Sequence, residues 1–172
     1  MSSIFAFKCS SCEEMHEGSP SFRFIAPDPY LEQPEEVQNE GKLGSDFCYY
    51  KDEDGYHYFI RVILEIPIIG VEDPFIWGVW VSLSESSYNH YVETFEQPDI
   101  DRTYFGWLCN YLPYYESTYA LATDVYPQAD GSRPSIVLHE TDHELHEDFV
   151  KGLEISKAQK IAELCMHGTQ TI

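Results

Sequence analysis

The sequence predicts an α+β fold: an antiparallel sheet with helices packed on one side and an N-terminal zinc-knuckle-like segment. Three observations lead to this prediction. Apolar and polar residues alternate through much of residues 47–83, as they do in half-buried strands. The C-terminal part contains repeated helix-start patterns, and two cysteines near the N-terminus have the spacing of metal ligands.

A single domain is expected over residues 1–172, because this length and 43% apolar content suit one hydrophobic core. It has three consecutive parts: a metal-knuckle segment with a short helix (1–48), the antiparallel sheet with an inserted helix (46–139) and C-terminal helices (141–167). No internal repeat or low-complexity linker divides the sequence.

The first part contains a candidate metal site. Cys9 and Cys12 can bind one soft metal ion from a single turn, and His16 and Cys48 complete a three-thiolate, one-imidazole set for tetrahedral zinc. Four protein donors leave no position for a substrate water, so the pattern indicates structural zinc. A redox pair and two ordinary buried thiols are the alternatives, and the redox one is weakened because no βαβ pattern surrounds the motif.

The elements follow from periodicity and from turn residues. Residues 47–51 and 56–66 flank the turn Asp52-Glu53-Asp54-Gly55 and predict a hairpin, and residues 75–83 predict a central strand. The remaining predicted elements are one exposed helix (30–43), a helix capped by Ser84 (85–95), an aromatic loop (104–115), two strands (118–125 and 135–139) and helices starting at capping boxes 141–144 and 156–159.

Net charge restricts the partners. The formal charge is -20, from 30 acidic and 10 basic residues, which disfavours nucleic acid and anionic membrane surfaces and favours cationic or neutral partners. Solubility alone is the alternative reason for this charge. No signal-peptide pattern is visible, and no apolar run approaches the roughly twenty residues of a membrane helix. With five cysteines, an odd number, a cytoplasmic protein is expected.

Candidate binding residues lie in the sheet and before the last helices. Arg61 and Glu65 are four apart on one strand face, and with Arg133 they could form a structural ion-pair network or, together with Trp80, line a cleft for a small anion. His143, with His139 and His146, could bind a metal in a hydrolase site or simply form a solvated helix turn.

Aromatic residues offer a further surface. Trp80, Trp107 and the 104–115 stretch are candidates for partial exposure and hence for protein contacts, and a cover over the end of the sheet is the alternative. The sequence contains no nucleophile elbow, phosphate loop or His-Glu-x-x-His motif. These absences disfavour enzyme classes without excluding them.

Several strings resemble one known family. They are Cys9-x-x-Cys12-x-x-x-His16, Ala26-Pro27-Asp28-x-Tyr30, Ser45-Asp46-x-Cys48, Phe59-Ile60-Arg61, Leu64-Glu65-Ile66-Pro67-Ile68, the tryptophan-rich run from Trp77 to Ser84, Phe105-Gly106-Trp107-Leu108, Leu112-Pro113 and Gly131-x-Arg133-Pro134. The chain is similar to the bacterial family catalogued as domain of unknown function 2199. The resemblance implies a shared fold and matching positions at the three cysteines, His16 and His143, and it implies no reaction.

Together these observations predict an acidic, non-catalytic binding protein with a basic protein partner. Its most concrete form is an immunity protein that neutralises a basic toxin, because a dense negative field speeds encounter with a cationic protein. The alternative is an enzyme or small-anion-binding protein with a cleft around Arg61, Glu65, Trp80 and Arg133. A third, plainer expectation is a domain whose charge serves solubility alone.

Overall fold

The structure is a computed structural model that describes residues 3–168. Its strands are β1 (Ala6–Lys8), β2 (Met15–Glu17), β3 (Ser21–Arg23), β4 (Lys42–Leu43), β5 (Phe47–Asp52), β6 (Gly55–Ile66), β7 (Phe75–Leu83), β8 (Tyr104–Leu108), β9 (Ala122–Tyr126) and β10 (Ser135–Leu138). Its helices are α1 (Asp28–Leu31), α2 (Glu35–Glu40), α3 (Glu85–Glu93), α4 (Glu144–Lys151) and α5 (Ile155–His167). None of these helices is long and apolar enough to cross a bilayer.

Five strands close into a barrel in the order β7, β8, β9, β10 and β6, because β6 also pairs with β7. The length of β6, 12 residues, allows this closure. β7 pairs along one edge of β6, while β5 and β10 share the other edge, with β5 at residues 55–60 and β10 at Ile63. Strands β3, β4 and β5 extend the sheet beyond the barrel.

The predicted antiparallel sheet is correct for most neighbouring strands, but two pairs differ. β10 runs parallel to β6, and β3 runs parallel to β7. Alternation in a sequence shows which residues share a face, and it carries no information about strand order. Neither the parallel pairs nor the closure of the barrel follows from it.

The two faces of the sheet are clearly distinguished by burial. On β6, Ile60, Val62 and Leu64 are fully buried and face the barrel interior. The outer face is marked by Trp107 on β8, which is 47% exposed and pairs with Ser82 of β7. On this outer face Trp80 and Tyr50 are nevertheless buried, because the segment after β3 covers Trp80 and Tyr30 of α1 packs on Tyr50.

The prediction that the helices pack on one side is wrong. Tyr88 and Tyr91 of α3 contact the ring of Phe47, whereas Tyr30 of α1 contacts Tyr50. Phe47 and Tyr50 are three residues apart on β5, so their side chains point to opposite faces. Helices therefore cover both faces of the sheet.

Local signals placed several elements correctly. The predicted hairpin corresponds to β5 and β6, the predicted central strand is β7, and Ser84 caps α3 by accepting a hydrogen bond from the Ser87 N–H at 3.2 Å. Other boundaries differ. Pro34 lacks an N–H and divides the predicted 30–43 helix into α1 and α2, and β8 occupies the start of the predicted 104–115 loop. The last helices begin after His143 and Glu154, not at the capping boxes.

Candidate functional sites

Four side chains of the types that ligate metals meet where the N-terminal hairpin contacts α5. They are Cys9, Cys12, His16 and His167, and their ligand atoms all lie within 4.8 Å of one another. Cys12 Sγ and His16 Nε2 are 3.3 Å apart. Two thiols and two imidazoles form a donor set typical of tetrahedral zinc. The group could therefore hold one metal ion.

The β1–β2 hairpin positions the first three of these residues. Its strands pair antiparallel, and in the turn the Cys9 N–H donates to Glu14 O at 2.9 Å while the Glu13 N–H donates to Cys9 O at 3.0 Å. Glu13 has a φ of 62°, the left-handed conformation that reverses the chain within a few residues. His16 lies on β2, directly after this turn, and its ring is close to the thiol of Cys12.

Helix α5 is docked against this turn, which brings in His167. The backbone N–H and the hydroxyl of Ser10 donate to the two carboxylate oxygens of Glu163, each at 2.8 Å. Glu163 and His167 are four apart on the helix and therefore share a face. The ring centroids of His167 and His16 are 6.3 Å apart. The docking of α5 thus completes the group of four.

Backbone N–H groups favour the thiolate form of Cys9. Burial acts to raise the pKa of this thiol, but backbone hydrogen bonds from Cys12 and Ser11 outweigh it and lower the pKa overall. The Ser11 N–H lies 3.4 Å from Cys9 Sγ. Because the thiolate is the form that binds metals, this turn prepares Cys9 as a ligand.

Cys48, predicted as the fourth ligand, lies outside this group. It pairs with Phe59 across the β5–β6 hairpin and is completely buried. Burial, with a smaller effect from Cys109, raises the pKa of Cys48 to about 12, so it is a neutral core thiol. The fourth position in the group is taken by His167, which the sequence analysis missed. Spacing along the sequence gave no signal for it, because the contact between α5 and the hairpin joins segments far apart in the chain.

Arg61 and Trp80 are brought together as predicted, but they are enclosed. They are register partners on β6 and β7, and the Arg61 guanidinium carbon lies 4.9 Å from the indole ring centre. Trp80 is fully buried, contrary to its predicted partial exposure, and Arg61 is only 7% exposed. Arg61 Nη2 donates to Phe24 O at 2.9 Å and Ile25 O at 3.3 Å. The pair fastens the chain segment after β3 to the barrel.

The other predicted members of this cleft separate. Arg133 pairs with Asp46 (Nε to Oδ1, 2.8 Å), and its charge, together with that of Arg23, adds to burial in lowering the pKa of Arg61. Glu65 is exposed. The predicted Arg61–Glu65 ion pair is wrong: within residues 3–168, the charged group of Arg61 bonds to backbone carbonyls and not to Glu65.

His143 has a structural role. It is the N-cap of α4: Nδ1 accepts a hydrogen bond from the Leu145 N–H at 3.0 Å, and Nε2 donates to Glu116 O at 2.9 Å. Both ring nitrogens are thus engaged as in a neutral imidazole. His139 instead bonds Asp124 at 2.9 Å. Among residues 3–168, no metal-type group includes either histidine.

An open pocket of about 340 Å³ lies on the outer face of the barrel, beside Trp107. Its lining consists of Pro29, Tyr50, His57, Phe59, Ser82, Trp107, Cys109, Tyr119 and Ala120. Tyr50 and Phe59 are buried and their rings stack at 5.7 Å, whereas Trp107 and Tyr119 are 47% and 41% exposed. Buried aromatic rings therefore form the floor, and half-exposed ones form the rim.

Exposed rings continue around this rim. Phe105 packs edge-on against Trp107 at 4.9 Å, and Tyr111 stacks on Tyr119 at 5.5 Å. We call Phe105, Trp107, Tyr111 and Tyr119 the aromatic patch; each is between 41% and 48% exposed. Contiguous exposed apolar surface of this kind is typical of binding sites.

Comparison with known proteins gives one match. A family model described as an uncharacterized protein conserved in bacteria matches residues 8–153. The match includes the hairpin residues of the metal group and the whole aromatic patch, whereas His167 lies beyond it. No curated protein and no solved structure matches the chain.

Proposed function

This chain belongs to the bacterial family DUF2199, and for this member we propose the function of an acidic, non-catalytic binding protein that captures a basic protein partner. The observation that carries the proposal is the aromatic patch on a protein of net charge -20. Aromatic residues are the most frequent anchors of protein interfaces, and a strong negative field attracts cationic partners.

Two acidic residues, Asp28 and Glu32, lie beside this patch. Asp28 accepts a hydrogen bond from the Tyr111 N–H at 2.7 Å. Burial is the main cause that raises the pKa of Tyr119, and the charges of Glu32 and Asp28 add smaller effects in the same direction. Exposed apolar rings in a negative field provide both parts of an interface: contact area and long-range attraction.

The most concrete form of this proposal is an immunity protein that neutralises a basic toxin. Such a protein must bind quickly, and charge complementarity raises association rates well above those of neutral pairs. Five free cysteines suit a reducing cytoplasm, where an immunity protein against an intracellular toxin would act.

Structural zinc is the second part of the proposal. Cys9, Cys12, His16 and His167 would supply four protein donors, so a bound ion would have no open position for water. The ion would therefore hold the N-terminal hairpin to α5 and would take no part in a reaction. The fit rests on the donor set and on the convergence of its ligand atoms within 4.8 Å.

The test is affinity purification from the native bacterium followed by binding kinetics with the purified partner. We expect a stoichiometric complex with a basic protein and an association rate that falls as salt rises. A variant lacking Glu32, Glu35 and Glu36, each changed to Gln, should associate more slowly. Its matched control changes Glu85, Glu93 and Glu96 on and beside α3, which alters net charge equally at another place.

Absence of any stoichiometric basic partner would refute the proposal, as would equal slowing by both triple variants. For the immunity form, co-expression with the partner should restore growth that the partner alone inhibits. Failure to restore growth would remove that form and leave a binding protein of another kind.

A small-anion-binding protein is the second candidate function, favoured by one observation. The charges of Arg23 and Arg133 both act on Arg61, so three of the four arginines are grouped in an otherwise very acidic chain. An open pocket of about 480 Å³ beside Arg133 and Asp46 is the place where an anion could enter. A thermal-shift screen with phosphate and carboxylates tests it: an anion that stabilises the wild type and not Arg133→Gln supports this function.

A further inference from the structure

We infer that the pocket beside Trp107 is an aromatic cage for one arginine side chain of the basic partner. The inference deepens the proposed function and depends on it for the identity of the partner. Its own basis is the shape, lining and charge of the pocket, each of which is independent of whether the partner is a toxin.

The pocket is lined by aromatic rings on which a planar guanidinium group can stack. Tyr50 lies between His57 and Phe59, with ring centroids 4.8 Å and 5.7 Å away and interplanar angles of 29° and 21°. Trp107 and Tyr119 stand at the rim with nearly half of their surface exposed. A planar cation stacks on such ring faces, and tryptophan and tyrosine are the best aromatic partners for it.

The charge around the pocket has the sign that a cation requires. Asp52 bonds His57 at 2.9 Å, and its charge is the second cause, after burial, that raises the pKa of Tyr50 to about 12. Glu32 and Asp28 act in the same direction on Tyr119. In the part of the chain that the structure describes, the pocket lining includes no lysine or arginine. Three carboxylates therefore act on a pocket whose described wall contains one histidine, His57, and neither lysine nor arginine.

Size and accessibility select one long side chain. The volume of about 340 Å³ lies at the lower end of the range for small-ligand pockets. The floor is formed by the buried rings of Tyr50 and Phe59 on the neighbouring strands β5 and β6, with the half-buried Ser82 of β7 beside them, so the pocket needs no rearrangement to form. A preformed pocket loses little conformational freedom on binding, which suits an anchor residue at an interface.

Arginine fits better than lysine for a chemical reason. The guanidinium is planar and weakly hydrated, so it can stack on Trp107 and Tyr119 without losing much hydration energy, whereas an ammonium is compact and strongly hydrated.

The test uses short blocked peptides containing a single arginine, lysine or citrulline, titrated while tryptophan fluorescence is recorded. Trp77 and Trp80 are fully buried, so Trp107 is the tryptophan that a ligand in the pocket would contact. We expect the arginine peptide to bind more tightly than the lysine peptide. The citrulline peptide, which has the same shape without the charge, should bind at least about tenfold more weakly.

Variants locate the binding. Trp107→Ala and Tyr119→Ala should each weaken arginine binding about three- to tenfold, measured by calorimetry because Trp107→Ala removes the fluorophore. The matched control is Tyr126→Ala, which removes a 39% exposed ring on β9 outside the pocket and should leave binding unchanged. Far-UV circular dichroism shows whether each variant is folded. Trp107→Phe keeps an aromatic face and should lose less affinity than Trp107→Ala.

Equal binding of citrulline and arginine would overturn the cage, and so would a loss from Tyr126→Ala as large as that from Trp107→Ala. The two proposals can fail separately. If a basic partner binds the wild type and Trp107→Ala equally, the cage is wrong and the proposed function stands. If the arginine peptide binds through Trp107 but no basic partner exists, the cage stands and the proposed function fails.

Discussion

The Arg61 guanidinium lies over the indole of Trp80, 4.9 Å from the ring centre, where the two strands β6 and β7 face each other in register. Both side chains are directed to Phe24 O, which accepts hydrogen bonds from Arg61 Nη2 at 2.9 Å and from Trp80 Nε1 at 3.0 Å. A buried cation is costly unless its donors are satisfied. Here a backbone segment, not a carboxylate, supplies the acceptors for Nη2, while the buried Nε has no partner among residues 3–168.

Replacement of Arg61 should therefore destabilise the fold. Arg61→Ala leaves Ile25 O without this donor and opens a cavity against Trp80, so we expect the free energy of unfolding in urea to fall by about 2–4 kcal/mol. The stability of Arg61→Lys should lie between those of the wild type and Arg61→Ala, because lysine keeps the charge and lacks the planar guanidinium group. The control is Arg102→Ala, an exposed arginine over Tyr104, which should change stability by less than about 0.5 kcal/mol. Equal losses for the alanine variants of Arg61 and Arg102 would contradict this account.

Asn110 is a second polar group on which the covering segment depends. It is completely buried; its Oδ1 accepts from the Trp80 N–H at 2.8 Å and its Nδ2 donates to Ala26 O at 3.0 Å. Asn110→Ala leaves both backbone groups unpaired, so we expect a loss of about 2–4 kcal/mol in chemical denaturation. Asn89→Ala, on the exposed part of α3, should be close to neutral. A loss below about 1 kcal/mol would show that water replaces the amide.

Metal content should distinguish His167 from Cys48. Protein purified without chelators is expected to contain about one zinc ion per chain by elemental analysis. Cys12→Ser and His167→Ala should lose the ion, while Cys48→Ser should keep it. A strong chelator should lower the melting temperature of the wild type, because an ion present at about a thousand times its Kd adds roughly 4 kcal/mol. Loss of zinc from Cys48→Ser with retention in His167→Ala would favour the ligand set predicted from sequence.

Stability should decrease steeply in alkali. Burial raises the pKa of Cys48 and Cys109 from 9.0 to about 12, with only smaller effects from other groups. Between these values the unfolded chain loses protons that the folded chain keeps, so the free energy of unfolding falls as pH rises through 9–12. Urea midpoints between pH 7 and 11 measure this.

A variant separates this titration from loss of packing. Cys48→Ala removes one thiol, so its stability should depend less steeply on pH than that of the wild type. Val62→Ala also removes buried volume, but it removes no titrating group. Its curve of stability against pH should therefore run parallel to that of the wild type. Parallel curves for all three proteins would mean that Cys48 does not contribute to the alkaline transition.

Sequence patterns predicted local structure well where neighbours along the chain decide it. The Asp-Gly turn specifies the β5–β6 hairpin, and Ser84 begins α3, because both effects involve residues only a few positions apart. Closure of the barrel depends on β10 returning to Ile63 of β6, a contact between distant segments that alternation does not encode. The sheet was therefore predictable and its closure was not.

The candidate sites show the same division. The Cys9, Cys12 and His16 spacing lies within one hairpin and predicted three members of the group, whereas the fourth comes from the far end of the chain. Trp80 and Trp107 cannot be distinguished by residue type. Trp80 is buried because the segment after β3 covers it, and Trp107 stays open because no comparable segment within residues 3–168 covers the end of β8.

A metal ion at the hairpin would be a reversible cross-link between two positions near opposite ends of the described chain, and it would close the intervening polypeptide into a loop. A disulfide persists when a protein unfolds and restricts the loose chain. The metal cross-link forms only in the folded chain, because folding brings the ligands together. Its contribution to stability therefore increases with the free metal concentration. Resistance of α5 to proteases would then rise and fall with the metal supply of the cell.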